Sequence, residues 1–324
     1  MIRTIQQLYD LPIEQVFMHE NNYYFYHNEQ LYVWMQTTMK EDDVRTSSDI
    51  ASVLQRLGEP VATIVPTEKS IQLASFNDQQ WLLFQVVPMK RTFDANCLIR
   101  FHQAGMIYAQ QHLQQEQLGM WHLLFEERYQ QCKEWEKEIK DETKHALFLY
   151  TYGLLDQSIQ LIGEVERYER EYLLMEGTVC FDSFPESLWR DKDAYAFFNH
   201  QLFIDHPIRD VAEYVRFMIE EGNVTETLTF FHEYAEETDL FEGAYRLFLG
   251  RLLYPKTLLN IVERWATIKT NEQKKYMQYV LKQYEQKIPM IERALRQVYQ
   301  SMKQTYPSSI PTISWLEDGS SAKK

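Results

Sequence analysis

The chain has 324 residues, of which 45% are hydrophobic and 25% are charged. This balance supplies enough apolar side chains for one or two globular domains and excludes a disordered chain. The formal net charge is −14 at pH 7. Because an acidic surface repels phosphate groups, nucleic acid is not expected as a partner.

Cysteine usage and the N-terminus limit the cellular context. Cys97, Cys132 and Cys180 are an odd set without CxxC spacing, so the sequence indicates neither a disulfide framework nor a structural zinc site. The first residues lack the apolar core of a signal peptide, and no apolar stretch reaches membrane-spanning length. We therefore expect a soluble protein that is not secreted by a signal peptide and does not enter a membrane.

Glycine is scarce, and this excludes several enzyme classes. The ten glycines form no GxGxxG and no GxxxxGK, and the sequence also lacks GxSxG and HExxH. Dinucleotide-binding fingerprints, P-loops, the ordinary kinase phosphate loop and the commonest hydrolase and zinc-protease motifs are therefore absent from the sequence.

The first ninety residues predict a sheet with one helix. Runs rich in aromatic and β-branched residues predict strands at 14–18, 22–27, 30–36, 61–65, 70–76 and 80–87. Apolar residues with helical spacing predict a helix at about 49–57, with candidate caps at 47–49 and a stop at Gly58 and Pro60. The predicted order is β-β-β-α-β-β-β.

The remainder of the chain predicts mainly helices. A helical pattern that includes Leu98, Phe101, His102 and Gly105 begins near residue 93 and continues to residue 172. Residues 177–207 read as loops and short strands, and a helix starts at Pro207. Further helices are predicted at 225–237, 240–253, 256–268 and 272–304, with Pro289 kinking or dividing the last one. The tail 307–324 is expected to fray or to lie on the surface.

Two segments carry a resemblance to a known family. They are VCFDSFPESLW at 179–189 and IDHPIRDVAEY at 204–214. They resemble the HGDxHxxN and IDFDxxxxxDPxxDLA segments of aminoglycoside and choline phosphotransferases. Within that superfamily, the chain is similar to the YutH-type family of endospore coat-associated proteins, which is related to CotS.

The resemblance implies an α+β, bilobal protein kinase-like fold. A small antiparallel β lobe with one helix would occupy 1–90, and a large, mainly helical lobe would occupy 91–306. The helical lobe would hold a degenerate catalytic loop at 177–207, and the tail would be 307–324.

The resemblance assigns roles to positions, and most of these positions have changed. Asp182 matches the catalytic aspartate, as a vestigial base position. The two histidines and the glycine of the motif are replaced by Cys180, Phe184 and Phe181, and the metal-binding asparagine by Ser187, which offers one neutral oxygen.

The metal-binding aspartate of the second segment falls at Phe198 in an ungapped alignment, or at Asn199 after a one-residue shift. The third strand has no lysine, and the helix 49–57 has no glutamate. Hence no cofactor and no metal are predicted. ATP and Mg²⁺ would enter only if the site were active.

Other interpretations of these side chains stay open. Asp182 can instead tie a loop by accepting backbone hydrogen bonds. Asp205 and Asp210 fit capping and dipole roles at the start of the helix better than metal ligation. His200 or His206 can pair with Asp182, and Cys180 with His200 can form a thiol site, although a buried cysteine usually only packs.

The resemblance implies a catalytically degenerate, kinase-like protein that binds or scaffolds other spore coat proteins during sporulation. It would be made in the mother-cell cytoplasm and then deposited in the coat. One alternative is an active ATP-dependent small-molecule phosphotransferase using Asp182. The other is a non-catalytic module that binds a small-molecule metabolite.

Overall fold

The computed structural model describes residues 2–19, 22–112, 118–139, 141, 144–198 and 202–317. It contains two compact units that interleave along the chain. The first unit comprises Met1–Gln114 and Gly177–Asp210, and the second comprises Gln115–Glu176 and Val211–Lys324. These units are defined by contacts within the chain and do not test the lobe boundaries that the resemblance implied, which remain a prediction.

The first unit is built on a six-stranded antiparallel sheet in the order β1-β2-β3-β6-β4, with β5 also paired to β6. Its elements, in chain order, are α1 (Ile2–Tyr9), β1 (Phe17–His19), β2 (Asn22–His27), β3 (Gln30–Thr37), α2 (Glu41–Arg56), β4 (Thr63–Val65), β5 (Ala74–Phe76), β6 (Gln79–Val86) and α3 (Ala95–His112). All six predicted strands are confirmed, with β1, β4 and β5 shorter than predicted.

Two helices of this unit differ from the sequence prediction. Helix α1 was not predicted, because its eight residues present only a short apolar face, on which Ile5 and Tyr9 are buried. Helix α2 begins at Glu41, well before the predicted caps at 47–49. Its first turn carries three acids, Glu41 to Asp43, which favour a helix N-terminus through the dipole. Ser47 is buried inside the helix rather than at its cap.

The sheet has an apolar core on each face. One core contains Trp34 and Trp81, which stack at 4.2 Å, together with residues of α1. The other core combines strand residues with α2 and with the segment that follows residue 194; its buried members are Leu31, Val33, Met39, Val44, Ala62, Ile64, Leu82, Phe84, Val86, Ala196 and Phe198. This second core fills the space between the sheet, α2 and the segment that follows residue 194.

The segment 177–207 contains short strands, as predicted. Strand β7 (Thr178–Phe181) pairs antiparallel with β10 (Leu202–Asp205), and β8 (Leu188–Asp191) pairs with β9 (Ala194–Phe197). Strand β7 packs against α3 at Gly105, where a Cβ atom would lie 2.5 Å from Oγ1 of Thr178 and 2.8 Å from the backbone nitrogen of Val179. Only glycine permits this close approach.

The second unit is helical within its described residues. Its elements are α4 (Trp121–Ile139), α5 (His145–Tyr168), α6 (Arg170–Met175), α8 (Val224–Thr238), α9 (Glu242–Leu253), α10 (Lys256–Thr267), α11 (Asn271–Thr305) and α12 (Ser314–Glu317), while α7 (Ile208–Glu220) begins in the first unit and continues into the second. None of the helices in the described part of the chain is both long and apolar enough to cross a bilayer.

Two expectations for the C-terminal part change. Helix α11 runs through Pro289 without being divided. The tail is not frayed between 307 and 317, because Ile310, Ile313 and Leu316 are buried there. The hydroxyl of Tyr299 accepts from the backbone N–H of Ile313 and donates to the Pro311 carbonyl, so a buried hydrogen bond holds the segment.

Candidate functional site

The predicted base position, Asp182, lies directly after β7, and its side chain is 49% exposed. Its Oδ1 is 3.5 Å from Nη2 of Arg209, which also donates to the backbone oxygen of Asp182 at 3.0 Å. Nε of Arg209 donates to the carbonyl of Phe181 at 3.2 Å. The guanidinium therefore ties the end of β7 to α7, and the carboxylate of Asp182 stays at the surface.

A second carboxylate, Asp205, meets the same arginine. Its Oδ2 accepts from Nη1 of Arg209 at 3.1 Å, and its Oδ1 accepts from the backbone N–H of His206 at 2.8 Å. One guanidinium thus contacts both acids and supplies the positive charge that a cation would otherwise provide. The prediction that Asp205 caps α7 needs correction, since Nδ1 of His206 accepts from the N–H of Ile208 at the helix start.

Asp210 lies in the first turn of α7 and is fully buried. Its two carboxylate oxygens accept from the backbone N–H of Phe181 at 3.2 and 3.3 Å. Nε2 of His102, in α3, lies 3.2 Å from Oδ2 of Asp210, and His102 is also buried. Asp210 therefore joins α3, β7 and α7, a role beyond the dipole effect predicted for it.

The loop residues that replace the motif's glycine and second histidine are packed in an aromatic cluster. Phe181 stacks on Phe101 at 4.5 Å and on Phe184 at 5.2 Å, and Phe197 lies 5.2 Å from Phe181. Both Phe181 and Phe184 are at most 1% exposed. These positions supply core packing, which polar phosphotransfer chemistry cannot use.

Ser187, at the predicted amide position, is also committed to the fold. It is fully buried, and its hydroxyl donates to the carbonyl of Ser183 at 2.8 Å. Its own carbonyl accepts from the N–H of Phe198 at 2.8 Å. The hydroxyl therefore closes a local turn and does not face solvent where a hydrated Mg²⁺ could reach it.

Phe198 follows β9 directly and lies in the core under the sheet. It is 5% exposed, and its ring meets Phe84 of β6 edge-on with centroids 5.7 Å apart. Asn199 and His200 lie outside the described residues, so the choice between Phe198 and Asn199 as the metal position stays a prediction. In the described part, the backbone of Phe198 bonds to Ser187 and its ring packs in the core under the sheet.

The connector between β6 and α3 forms a bridge with β9. The N–H of Met89 donates to the carbonyl of Tyr195 at 2.8 Å, and the N–H of Tyr195 donates to the carbonyl of Met89 at 3.0 Å. Phe197 forms a parallel bridge, in which its N–H donates to the carbonyl of Pro60 and its carbonyl accepts from the N–H of Ala62. A heterocycle such as adenine binds through one hydrogen-bond donor and one acceptor. The backbone N–H and carbonyl groups of these bridges are already paired with each other, so they could bind such a ring only if a bridge broke.

Helix α2 contains a glutamate that the shorter predicted helix lacked. Glu41 stands in the first turn and lies 4.0 Å from Arg45, with side chains 79% and 68% exposed. A surface pair of this kind contributes little and does not orient a phosphate-binding lysine.

The sulfur of the alternative thiol site is not at a surface. Cys180 is fully buried, and its Sγ lies 3.5 Å from the carbonyl of His206. A solvent substrate cannot reach this sulfur, so a nucleophilic role is disfavoured.

Sequence reasoning missed the roles of His102 and Arg209. His102 was assigned only to a helical apolar stripe, and a polar side chain on such a stripe indicates a buried partner. Arg209 lies four residues after Asp205 in the helix-start segment, which is the spacing of an ion pair along a helix. Neither signal identifies the distant partner, because the fold alone brings Asp182 and Asp210 to these side chains.

The sequence comparison decides the family. The model of the family described as "Spore coat putative kinase YutH" matches residues 2–298. The chain belongs to this family. The predicted resemblance is thereby confirmed.

Relatives within and beyond the family agree with the fold. The chain is 23% identical over 341 residues to the "Endospore coat-associated protein YutH" of Bacillus subtilis (strain 168), covering 98% of both chains. An aminoglycoside phosphotransferase from Alicyclobacillus acidocaldarius superposes with a TM-score of 0.63 at 17% identity, over 93% of this chain and 96% of that one. A spectinomycin phosphotransferase, solved with ADP and spectinomycin, gives a TM-score of 0.55 at 13% identity, over 87% of this chain and 92% of that one. The kinase-like α+β fold is confirmed.

Proposed function

We propose that this protein is a catalytically degenerate, kinase-like component of the spore coat that acts by binding or scaffolding. The observation that carries the proposal is the position of Phe198. An apolar ring packed against Phe84 stands at the position that the ungapped alignment gives to the anionic metal ligand. Ser187, the other expected ligand, is buried and bonded to Ser183.

Phosphoryl transfer needs a metal ion that is held by the protein. Mg²⁺ bridges the nucleotide phosphates and neutralises the charge that develops during transfer. It prefers anionic oxygens, and neither Ser187 nor Phe198 supplies one. Loss of one preorganised electrostatic group commonly costs about 3–4 kcal/mol of transition-state stabilisation. The loss of both ligands and of the strand lysine supports a rate of phosphoryl transfer close to that of the uncatalysed reaction in water.

The family supports the place of action. We propose synthesis in the mother-cell cytoplasm during sporulation, followed by deposition in the coat, with other coat proteins as partners. Tyr168, Tyr172 and Met175 are 75%, 59% and 76% exposed at helical spacing across α5 and α6. Exposed tyrosine and methionine are typical of binding surfaces, which supports a scaffold.

The experiment is an ATP-turnover assay with and without Mg²⁺, on the unmodified chain and on Asp182→Ala. A matched control is Asp193→Asn, which changes another exposed acid of the same unit. We expect equal background turnover in all three proteins. Magnesium-dependent turnover that disappears in Asp182→Ala and persists in Asp193→Asn would instead establish an active phosphotransferase.

That active phosphotransferase is the alternative that Asp182 favours, since its carboxylate is half exposed and can reach a solvent substrate. It would need a metal held by residues other than Ser187 and Phe198. Screening aminoglycosides and choline as phosphate acceptors tests it directly.

A metabolite-binding module is favoured by a cavity in the second unit. This cavity of about 490 Å³ is lined by α5, α11 and α12, including Tyr150, Gln157, Glu292, Arg296 and Trp315. Its size is that of a small-molecule site with a few polar groups. A rise in melting temperature with a small molecule, lost in Arg296→Ala but retained in Asp182→Ala, would support binding there.

A further inference from the structure

Three side chains that bind metals in other proteins meet inside the first unit. They are His102 of α3, Cys180 of β7 and Asp210 of α7, and each is at most 3% exposed. Nε2, Sγ and a carboxylate oxygen of these residues all lie within 4.8 Å of one another. From this convergence, we infer that the protein binds one structural Zn²⁺ through His102, Cys180 and Asp210.

The separations suit a tetrahedral zinc ion. With Zn–N and Zn–O bonds of about 2.0–2.1 Å, a tetrahedral site places nitrogen and oxygen about 3.3 Å apart. Nε2 of His102 and Oδ2 of Asp210 are 3.2 Å apart. Sulfur, with a Zn–S bond of about 2.3 Å, should lie about 3.6 Å from each of them. The three ligand atoms all lie within 4.8 Å of one another, so a movement of the sulfur by about 1 Å brings it to these separations.

A backbone carbonyl offers a fourth donor. Sγ of Cys180 lies 3.5 Å from the carbonyl oxygen of His206, a separation that two ligands of one zinc ion can have. This oxygen can take the fourth position. The closed set of four protein donors is that of a structural site, which differs from a catalytic site by having no open position for water.

The donor types select zinc over magnesium. A thiolate and an imidazole are borderline or soft ligands, whereas Mg²⁺ requires hard oxygen donors. The thiol of Cys180 gives its proton to solvent when the Zn–S bond forms, and Asp210 binds as the carboxylate. The ion and its two anionic ligands then sum to zero charge, so the buried group carries no net charge.

The surroundings also provide an outer layer of hydrogen bonds. The carboxylate of Asp210 accepts from the N–H of Phe181, and the hydroxyl of Thr178 donates to the carbonyl of His102. Such bonds orient ligands around a metal. The ion would fasten β7 to α3 and α7, and thus hold the 177–210 segment without any nucleotide.

Sequence spacing cannot reveal this site, because its ligands are 78 and 30 residues apart rather than in a CxxC or HxxxH motif. Full burial implies that the ion enters as the chain folds. The inference does not depend on whether the protein transfers phosphate, since Asp182 and Phe198 take no part in it.

The test is the metal content of the full chain purified without chelators, measured by plasma mass spectrometry. We expect about one zinc per chain, as for a structural site, and a loss of most of it in Cys180→Ser. Cys97→Ser and Cys132→Ser are matched controls, because both are buried free cysteines of the same chain, and they should retain the metal.

Growth in cobalt-supplemented medium gives a second readout that does not depend on stability. Cobalt at this site should show a thiolate-to-cobalt charge-transfer band in the near ultraviolet, absent in Cys180→Ser and shifted in His102→Gln. A folded chain with substoichiometric zinc and no thiolate band would overturn the inference, as would zinc that persists in Cys180→Ser. Zinc lost equally from Cys97→Ser would point to a different site and also overturn it.

Discussion

Replacing Phe198 with alanine removes a ring that is 5% exposed and lies edge-on to Phe84 at 5.7 Å. Phenylalanine-to-alanine changes in a core commonly cost about 3–5 kcal/mol, through lost transfer energy and the cavity left behind. An edge-to-face pair contributes about 0.5–1.5 kcal/mol of such a loss. We therefore expect Phe198→Ala to lower the free energy of unfolding by about 4 kcal/mol.

Urea denaturation followed by circular dichroism measures this change. Phe198→Leu is the control, because it preserves most of the volume and should cost less than about 1.5 kcal/mol. Phe198→Asp should cost more than the alanine change, since every buried member of this core is apolar and none can serve as a counterion for the carboxylate. A loss below about 1 kcal/mol in Phe198→Ala would refute the reasoning, because a ring near water costs little to remove.

Three further comparisons use thermal and urea denaturation. Gly105→Ala should lower the free energy of unfolding by about 2 kcal/mol, because its Cβ would meet the backbone of β7. Gly153→Ala should raise it by about 1 kcal/mol, because its Cβ meets nothing within 4 Å. Equal effects of the two changes would contradict the packing of α3. Asp210→Ala should cost about 3 kcal/mol because it strands buried donors, and Asp182→Ala less than about 1 kcal/mol; the reverse order would contradict their exposures. Burial raises the pKa of Glu220 above its usual 4.5. The folded state therefore favours the protonated carboxyl group, and the stability that Glu220 contributes is lost as the pH rises from 4.5 through the raised pKa. Glu220→Gln should flatten this fall in Tm above pH 4.5, and an unchanged profile would count against it.

The order of elements was predictable because it depends on local patterns. Aromatic and β-branched alternation identified the strands from β2 to β6, and helical spacing identified α3 and α8 to α11. Helix starts were less predictable, as α2 shows: its first turn is acidic and its apolar stripe begins only at Val44. The buried tail was missed because serine and proline suggested a surface, whereas Tyr299 and three apolar residues hold it.

The sequence suggested which positions belong to the candidate site, but it did not show which side chains contact one another there. The two motif-like segments suggested Asp182, Ser187 and, by counting back from Pro207, Phe198 or Asn199 as site positions, and these assignments stay predictions. Nothing in the sequence joins Phe198 to Phe84, or His102 to Asp210, because these pairs are 114 and 108 residues apart. Such contacts arise only when the sheet, α3 and α7 are in place.

Isothermal titration of the full chain with MgATP tests the central claim most directly. The account predicts no saturable heat, because Phe198 and Ser187 take the positions that the ungapped alignment gives to the two metal ligands, and Arg209 already pairs with the carboxylates of Asp182 and Asp205. Saturable binding that requires Mg²⁺ and weakens in Asp182→Ala would contradict it.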